Sequence, residues 1–227
     1  MNDAVDALAT DAARTQAARE GEHLSAVLIA QLEEDPADRS ATATPSVAGE
    51  PDGDGIDSLE GRLETHGVVV TGHRPPELGG YDANRIADGV RRRLVEILRA
   101  KAQVDTELVV ATGLGLGAEQ LGAEAAAEAD IPYVAVLAFP DPDSVWPDAS
   151  RRHFRKLLDG AEQVIVHTKK PPRSKQQAGA AIARRDAWLA AHNHEAVVVW
   201  DGTDRAVGKT VRTLEESLDD VWIVEPW

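Results

Sequence analysis

The sequence predicts an α/β fold over residues 65–227: a parallel sheet with helices on both faces, preceded by a partly disordered acidic N-terminal tail. Three observations predict it. From His66 onward, short runs rich in Val and Ile alternate with stretches whose apolar residues recur at helical spacing. The short runs are apolar throughout instead of alternating with polar residues, the pattern of strands buried on both faces. Strict alternation of such strands with helices builds a parallel sheet with crossover helices on either side.

Taken in order, the first strand is Gly67–Thr71 (GVVVT). Asn84–Ala102 then places Ile86, Val90, Leu94, Ile97 and Leu98 on one helical face. Glu107–Ala111 (ELVVA) is the second strand, and Ala118–Ala129 an alanine-rich helix. Tyr133–Phe139 (YVAVLAF) is the third strand, followed by a helix over Ala149–Asp159. Glu162–Thr168 (EQVIVHT) is the fourth, with a helix over Gln176–His192. Ala196–Trp200 (AVVVW), a helix over Val207–Leu218 and a last strand, Val221–Val224 (VWIV), complete the series. No internal repeat is evident, and the alternation is that of a Rossmann-like domain.

Residues 1–64 read differently. Residues 4–34 are rich in Ala, Leu and Glu, and Leu24, Val27, Leu28 and Leu32 recur at helical spacing. Residues 1–34 are therefore expected to hold one amphipathic helix, either a docking segment or a weakly ordered tail. Residues 35–64 are rich in Pro, Gly, Ser, Thr and Asp and nearly free of large apolar side chains. Such a stretch buries too little surface to offset its ordering entropy, so a disordered acidic linker is expected.

Charge follows the same division. The formal net charge is −15. Residues 1–66 hold 15 acidic and 4 basic side chains, so the folded part is only mildly acidic. An acidic field opposes general nucleic-acid binding, which depends on phosphate neutralisation. The absence of cysteine excludes disulfides, thiolate metal sites and cysteine nucleophiles, and a reducing cytoplasm is the simplest home. No apolar run approaches the ~18 residues that span a bilayer, and no secretory signal is visible at the N-terminus.

Ligands of open parallel sheets sit beyond the carboxyl ends of the strands, and three loops there are unusual. The first runs from Thr71 to Tyr81 (TGHRPPELGGY). Gly72 lets the chain turn off the strand, and the two prolines stiffen the loop. His73 and Arg74 are then expected over the crevice as donors, Arg74 on a phosphate or carboxylate or else paired with Glu77. The second is the glycine turn Gly113, Gly115 and Gly117, which opens a helix as a phosphate cradle. Glu119, in the first turn of that helix, is suited to a ribose hydroxyl, to activating water, or simply to complementing the helix dipole. The third loop carries Asp201 and Gly202, then Gly208, Lys209 and Thr210. Its spacing departs from the Walker A pattern, because Thr203 stands where the first glycine belongs. Gly208, Lys209 and Thr210 are expected at a helix start, with Lys209 as a point charge for phosphate. Lys169–Lys175 forms a basic loop, either a lid over an anion or a solvated turn. His192 and His194 lack a third ligand, so no metal site is expected.

These loops together resemble the SLOG superfamily, in its YpsA-like branch. The match rests on the Thr71–Tyr81 opening, on Gly113, Gly117 and Glu119 in the glycine turn, and on Trp146-Pro147. It extends to Arg185-Asp186-Ala187-Trp188-Leu189, with Asp186 for the usual Asn, and to Asp201-Gly202 and Gly208-Lys209-Thr210, with Lys209 in place of glycine. The resemblance covers about residues 66–227. It implies a domain that senses or processes nucleotide-derived ligands, related to cytokinin-activating phosphoribohydrolases (the LOG type), DprA-like single-stranded-DNA-binding proteins and modules sensing NAD-derived signals. The hydrolases carry a glutamate three residues after the threonine equivalent to Thr210; here Thr213 stands there.

The leading expectation is a module binding a nucleotide or ADP-ribose-like ligand. Its phosphate would rest on the Gly113–Gly117 and Gly208–Thr210 turns, with Arg74 and Arg185 on anionic groups and Glu119 or Asp201 on ribose. An N-glycosidic hydrolase with Glu119 or Asp201 as the catalytic carboxylate is the rival. A single-stranded-DNA binder using Lys169–Lys175 is the third reading. Self-association is left open.

Overall fold

The computed structural model describes residues 59–227. The expected tail helix and most of the expected linker lie outside the described residues. The chain enters through helix α1 (Leu59–His66) and strand β1 (Gly67–Gly72), then α2 (Arg85–Val104), β2 (Val109–Thr112) and α3 (Ala118–Glu128). It continues through β3 (Tyr133–Leu137), α4 (Asp148–Asp159), β4 (Gln163–Val166) and α5 (Lys175–Ala191). It closes with β5 (Glu195–Val199), α6 (Arg205–Glu215) and β6 (Asp220–Val224). Each strand and helix expected from His66 onward is present within three residues of its expected bounds.

All five strand pairings are parallel, and the strand order is β4-β3-β2-β1-β5-β6. The chain runs outward from β1 to β4, then crosses back to lay β5 on the other side of β1. The reversal therefore falls between β1 and β5, where Gly72 stands opposite Val199. Alternate side chains of the central strands feed two cores. Val68, Val70, Val110, Ala135 and Val197 pack against Val90, Leu94 and Leu98 of α2, Ala123 of α3 and Phe154 of α4. Val69, Val109, Ala111, Val134 and Val198 pack against Leu63 of α1, Leu189 of α5 and Val211 and Leu214 of α6. Helices thus cover both faces, as the apolar runs require. Among the described residues, no helix is long and apolar enough to cross a membrane.

Helix starts are fixed by side-chain caps. Asn84 accepts the N–H groups of Ile86 and Ala87, each at 3.0 Å. Ser174 accepts that of Gln177, and Asp204 that of Val207.

Two features depart from the expectation. Helix α1 begins inside the stretch read as linker. Its sequence, LEGRLETH, is mostly polar, yet Leu63 is fully buried against the sheet. One well-placed leucine docks a turn of helix that average composition cannot reveal. Strands β4 and β6 are also edges, although their apolar runs read as buried on both faces. Val164 and Val166 of β4 and Trp222 and Ile223 of β6 are each more than 40% exposed.

Because Leu63 ties α1 to the second core, Leu63→Ala is expected to cost about 2–5 kcal/mol in urea unfolding. A chain that begins at Asp57 is expected to keep a single cooperative melt. A Leu63→Ala loss below about 0.5 kcal/mol, the level of an ordinary surface change, would show α1 to be an unpacked appendage.

Candidate functional site

The crevice lies beyond the carboxyl ends of β1, β2 and β5, next to the reversal of strand order. His73, the first residue after β1, is fully buried at 1% exposure. Its backbone N–H donates to Val199 of β5 at 2.9 Å, and its carbonyl accepts the N–H of Ala118, the first residue of α3, at 2.9 Å. Its ring Nε2 lies 2.9 Å from the backbone nitrogen of Asp201 and 3.2 Å from that residue's Oδ1. The sequence reading put His73 over the crevice as a donor. It is instead part of the wall, joining the ends of β1 and β5 to the start of α3. Arg74, next to it, is exposed and makes no side-chain hydrogen bond or ion pair among the described residues; it is not paired with Glu77.

The glycine turn after β2 is a built site. Leu114 is fully buried in a left-handed conformation, φ +56°. Thr112 and Gln120 brace the turn: the Thr112 hydroxyl donates to the carbonyl of Glu119 at 2.8 Å, and the Gln120 amide to that of Leu114 at 3.2 Å. The Glu119 carboxylate folds back over the turn and accepts the N–H of Gly115 at 2.7 Å. Arg185, reaching in from α5, donates to both Glu119 oxygens at 3.1 Å. Its other edge holds Asp186, Nε at 2.8 Å and Nη2 at 2.6 Å. The glycines are required by this approach. A Cβ on Gly113 would sit 1.4 Å from the Arg185 guanidinium, and Gly117, at φ +101°, lies against the backbone of His73 and Arg74.

Both edges of Arg185 are thus occupied by carboxylates, and the residue is 8% exposed. Burial opposes its charge, but Glu119 and Asp186 more than restore it and hold its pKa above the usual arginine value. A phosphate expected on Arg185 would have to displace one of these carboxylates. Sequence reasoning chose Arg185 and Glu119 but missed that they are each other's partner. It also missed Thr112, Gln120 and Asp186.

Asp201 is a loop staple. Its Oδ1 accepts the N–H groups of Thr203 at 2.8 Å and Asp204 at 3.0 Å, and its Oδ2 accepts the Thr203 hydroxyl at 2.7 Å. The backbone N–H groups of Asp204 and Thr203 and the Thr203 hydroxyl hold its carboxyl well below the usual carboxylate range. Gly202 supplies the turn itself at φ +78°. Gly208, Lys209 and Thr210 correct the sequence reading. The helix starts at Arg205 with Asp204 as its cap. Gly208 therefore sits a turn inside, its N–H donated to Asp204 and its α-carbon against Trp200. Lys209 is exposed on the second turn, away from any helix start.

The remaining candidates fall outside this cluster. Trp146 packs edge-on against Phe154 in the first core. His192 stacks on Trp188 at 4.5 Å, while His194 pairs with Asp219. Among the described residues, no group of three or more His, Asp or Glu is placed to hold a metal ion. Lys169, Lys170, Arg173 and Lys175 are exposed and make no ion pair among the described residues. His167, after β4, was not singled out by sequence. Its Nε2 is buried without a partner among the described residues. Burial, then the charges of Arg185, His192 and Arg184, lowers its pKa and keeps the ring neutral.

The sequence profile of YpsA, described as the YspA SLOG family, matches residues 68–217, which contain every element just described except α1 and β6. Among solved structures, the chain is similar to the X-ray structure of DNA processing protein A (DprA) from Streptococcus pneumoniae, at 21% identity and a TM-score of 0.50. The likeness covers 71% of this chain and 51% of that one, so the chain spans about half of that protein's length. No curated protein matches by sequence.

Removing one member of the buried pair strands the other. Arg185→Met is expected to cost about 3–5 kcal/mol, and Arg185→Met with Glu119→Gln distinctly less. Equal losses for the single and double variants, measured by denaturant unfolding, would show that the two side chains are not coupled. The Asp201 staple carries a pH signature. A carboxylate whose folded pKa is depressed gives its full stability above the unfolded value of about 3.9. That contribution fades as pH falls below it toward the depressed folded pKa. Asp201→Asn is therefore expected to flatten the acid limb of the stability profile below about pH 4. An unchanged acid limb would mean that the carboxylate charge contributes nothing to the loop.

Proposed function

Because the chain belongs to the YpsA SLOG family, we propose that its strand-end crevice binds a nucleotide or nucleotide-derived phosphate ligand as a binding or sensing module. One observation carries the reading: the buried Arg185, held between a half-buried Glu119 and an exposed Asp186, is pressed into a glycine turn at the switch point. Buried ion clusters gain little for stability over apolar packing, and strained backbone gathers at functional sites. This turn has both.

Arg74 is the cation for the ligand phosphate. It is exposed, makes no ion pair among the described residues and lies beside the turn, whereas Arg185 is saturated. Glu119, held over the turn by Gly115 and Arg185, faces the ligand as an acceptor suited to ribose hydroxyls. For Asp201 the hydrolase reading is disfavoured by its own hydrogen bonds: a carboxylate that steers water needs a free lone pair and basicity near the working pH, and the Asp204 and Thr203 donors occupy this one and hold it well below the usual carboxylate range.

The test is a melting panel with AMP, ADP and ADP-ribose, with product analysis in the same tubes. A binding nucleotide at about 100-fold over its Kd is expected to add roughly 2.7 kcal/mol of stability without being consumed. Arg74→Ala is expected to weaken binding by about 1–3 kcal/mol, the range for a charge-assisted hydrogen bond, and to leave the unliganded melt unchanged. Lys209→Gly is expected to leave binding intact and to cost about 0.5–1 kcal/mol as an exposed helical glycine. Release of free base would favour the hydrolase. Affinity for single-stranded DNA that collapses with salt and needs Lys169 and Lys170 would favour the DNA reading.

A further inference from the structure

The two edges of the sheet carry their charges differently. Strand β4 (QVIV) pairs with β3 on one side and ends the sheet on the other. Its Val164 and Val166 stand beside Ala135 and Leu137 of β3, on the face of the first core, and both are more than 40% exposed. Edge strands are usually guarded against pairing by a charge, a proline or a bulge. Apart from its shortness, β4 has none of these, and its register with β3 is unbroken. Charge stands instead on its two flanks, with opposite sign. Asp159 and Glu162 precede the strand, and Lys169 and Lys170 follow it. All four are exposed and make no ion pair among the described residues. At the far edge, β6 has acid at both ends: Asp220 opens the strand and Glu225 follows it.

We propose that β4 is a self-association edge, which pairs antiparallel with β4 of a second copy of this chain and continues the sheet across a two-fold axis. Charge complementarity selects this occupant. Antiparallel pairing lays the residues before one strand beside those after the other. At β4 it brings Asp159 and Glu162 of each copy toward Lys169 and Lys170 of the other, twice by symmetry. At β6 the same pairing would bring Asp220 toward Glu225, acid against acid, and like charges reject a partner. Side chains agree as well. With Ile165 at the axis, Val164 of each copy stands opposite Val166 of the other on one face, so the exposed valines become cross-strand pairs. The two-fold arrangement uses the β4 edge of both copies and closes, leaving nothing to propagate. A pairing of four residues is a small interface, so a dissociation constant in the micromolar range is expected. The inference is independent of the ligand reading: it uses none of the residues assigned to the ligand, and β2 and β3 lie between β4 and β1.

The test is analytical ultracentrifugation of the full chain from low to high micromolar concentration, where a monomer–dimer equilibrium is expected. Two charge-reversed forms then read the interface. Asp159→Lys with Glu162→Lys makes both flanks of β4 basic, and Lys169→Glu with Lys170→Glu makes both acidic. All four positions are exposed, so both forms are expected to fold, which a cooperative melt checks. Each form alone is expected to dimerise about tenfold more weakly or worse. An equimolar mixture of the two is expected to regain a dimer of about the original affinity, because each basic flank then meets an acidic one. A full chain that stays monomeric throughout the range would overturn the proposal. So would a dimer indifferent to both charge reversals, which would place the contact elsewhere, and so would open-ended assembly in place of dimers. Two weakened forms that fail to pair when mixed would rule out the antiparallel arrangement and the proposal with it.

Discussion

His73 is the point on which the strand-end architecture depends. Its N–H is bonded to β5, its carbonyl to the first residue of α3, and its ring to the loop after β5. A buried imidazole is costly unless its polar atoms are matched. Here the partners lie in two segments distant in sequence, Val199–Asp201 and Ala118, so one ring bond and two backbone bonds of a single residue fix their relative positions. The parallel sheet brings β1 and β5 side by side. His73 then converts that adjacency into a defined crevice, and places the glycine turn beside it through Ala118.

The charged cluster follows from that placement. Once α3 starts where His73 holds it, Glu119 is delivered to the mouth of the glycine turn, and Arg185 reaches it from α5 across the space that Gly113 leaves open. The arginine stays charged because two carboxylates surround it, and the cluster holds one more carboxylate than guanidinium. An incoming anion therefore meets an acidic cluster with Arg74 beside it. The chemistry favours a ligand with both features, a phosphate for the arginine and hydroxyl donors for the carboxylate, over a bare anion.

The two ends of the sheet have separate duties. The carboxyl end carries strain, buried charge and an exposed arginine that makes no ion pair among the described residues. The amino end carries apolar surface, with Val104 92% and Trp222 47% exposed. Between them, the Val-rich strands are buried on both faces and isolate one end from the other.

The sequence by itself determined the alternation of elements and the doubly covered sheet, because buried parallel strands must be apolar throughout and that is visible locally. It also marked the loops of the site: glycine-rich turns at strand ends stand out by composition alone, and Gly113, Gly117, Glu119 and Arg74 were legible in this way, while Arg185, inside a helix, was legible only through the family resemblance. Only the tertiary structure decided how these residues are used. Whether His73 faces ligand or wall, and whether Arg185 is free or saturated, depends on partners dozens of residues away. The start of α6 was misread because Asp204, a cap, weighs less in pattern than the glycine and lysine inside the helix. The edges β4 and β6 were hidden because a Val-Ile run records the hydrophobicity of a strand and not its neighbours. Helix α1 was hidden because a single leucine docks it. Strand order and side-chain pairing are relations between distant segments, and no local pattern holds them.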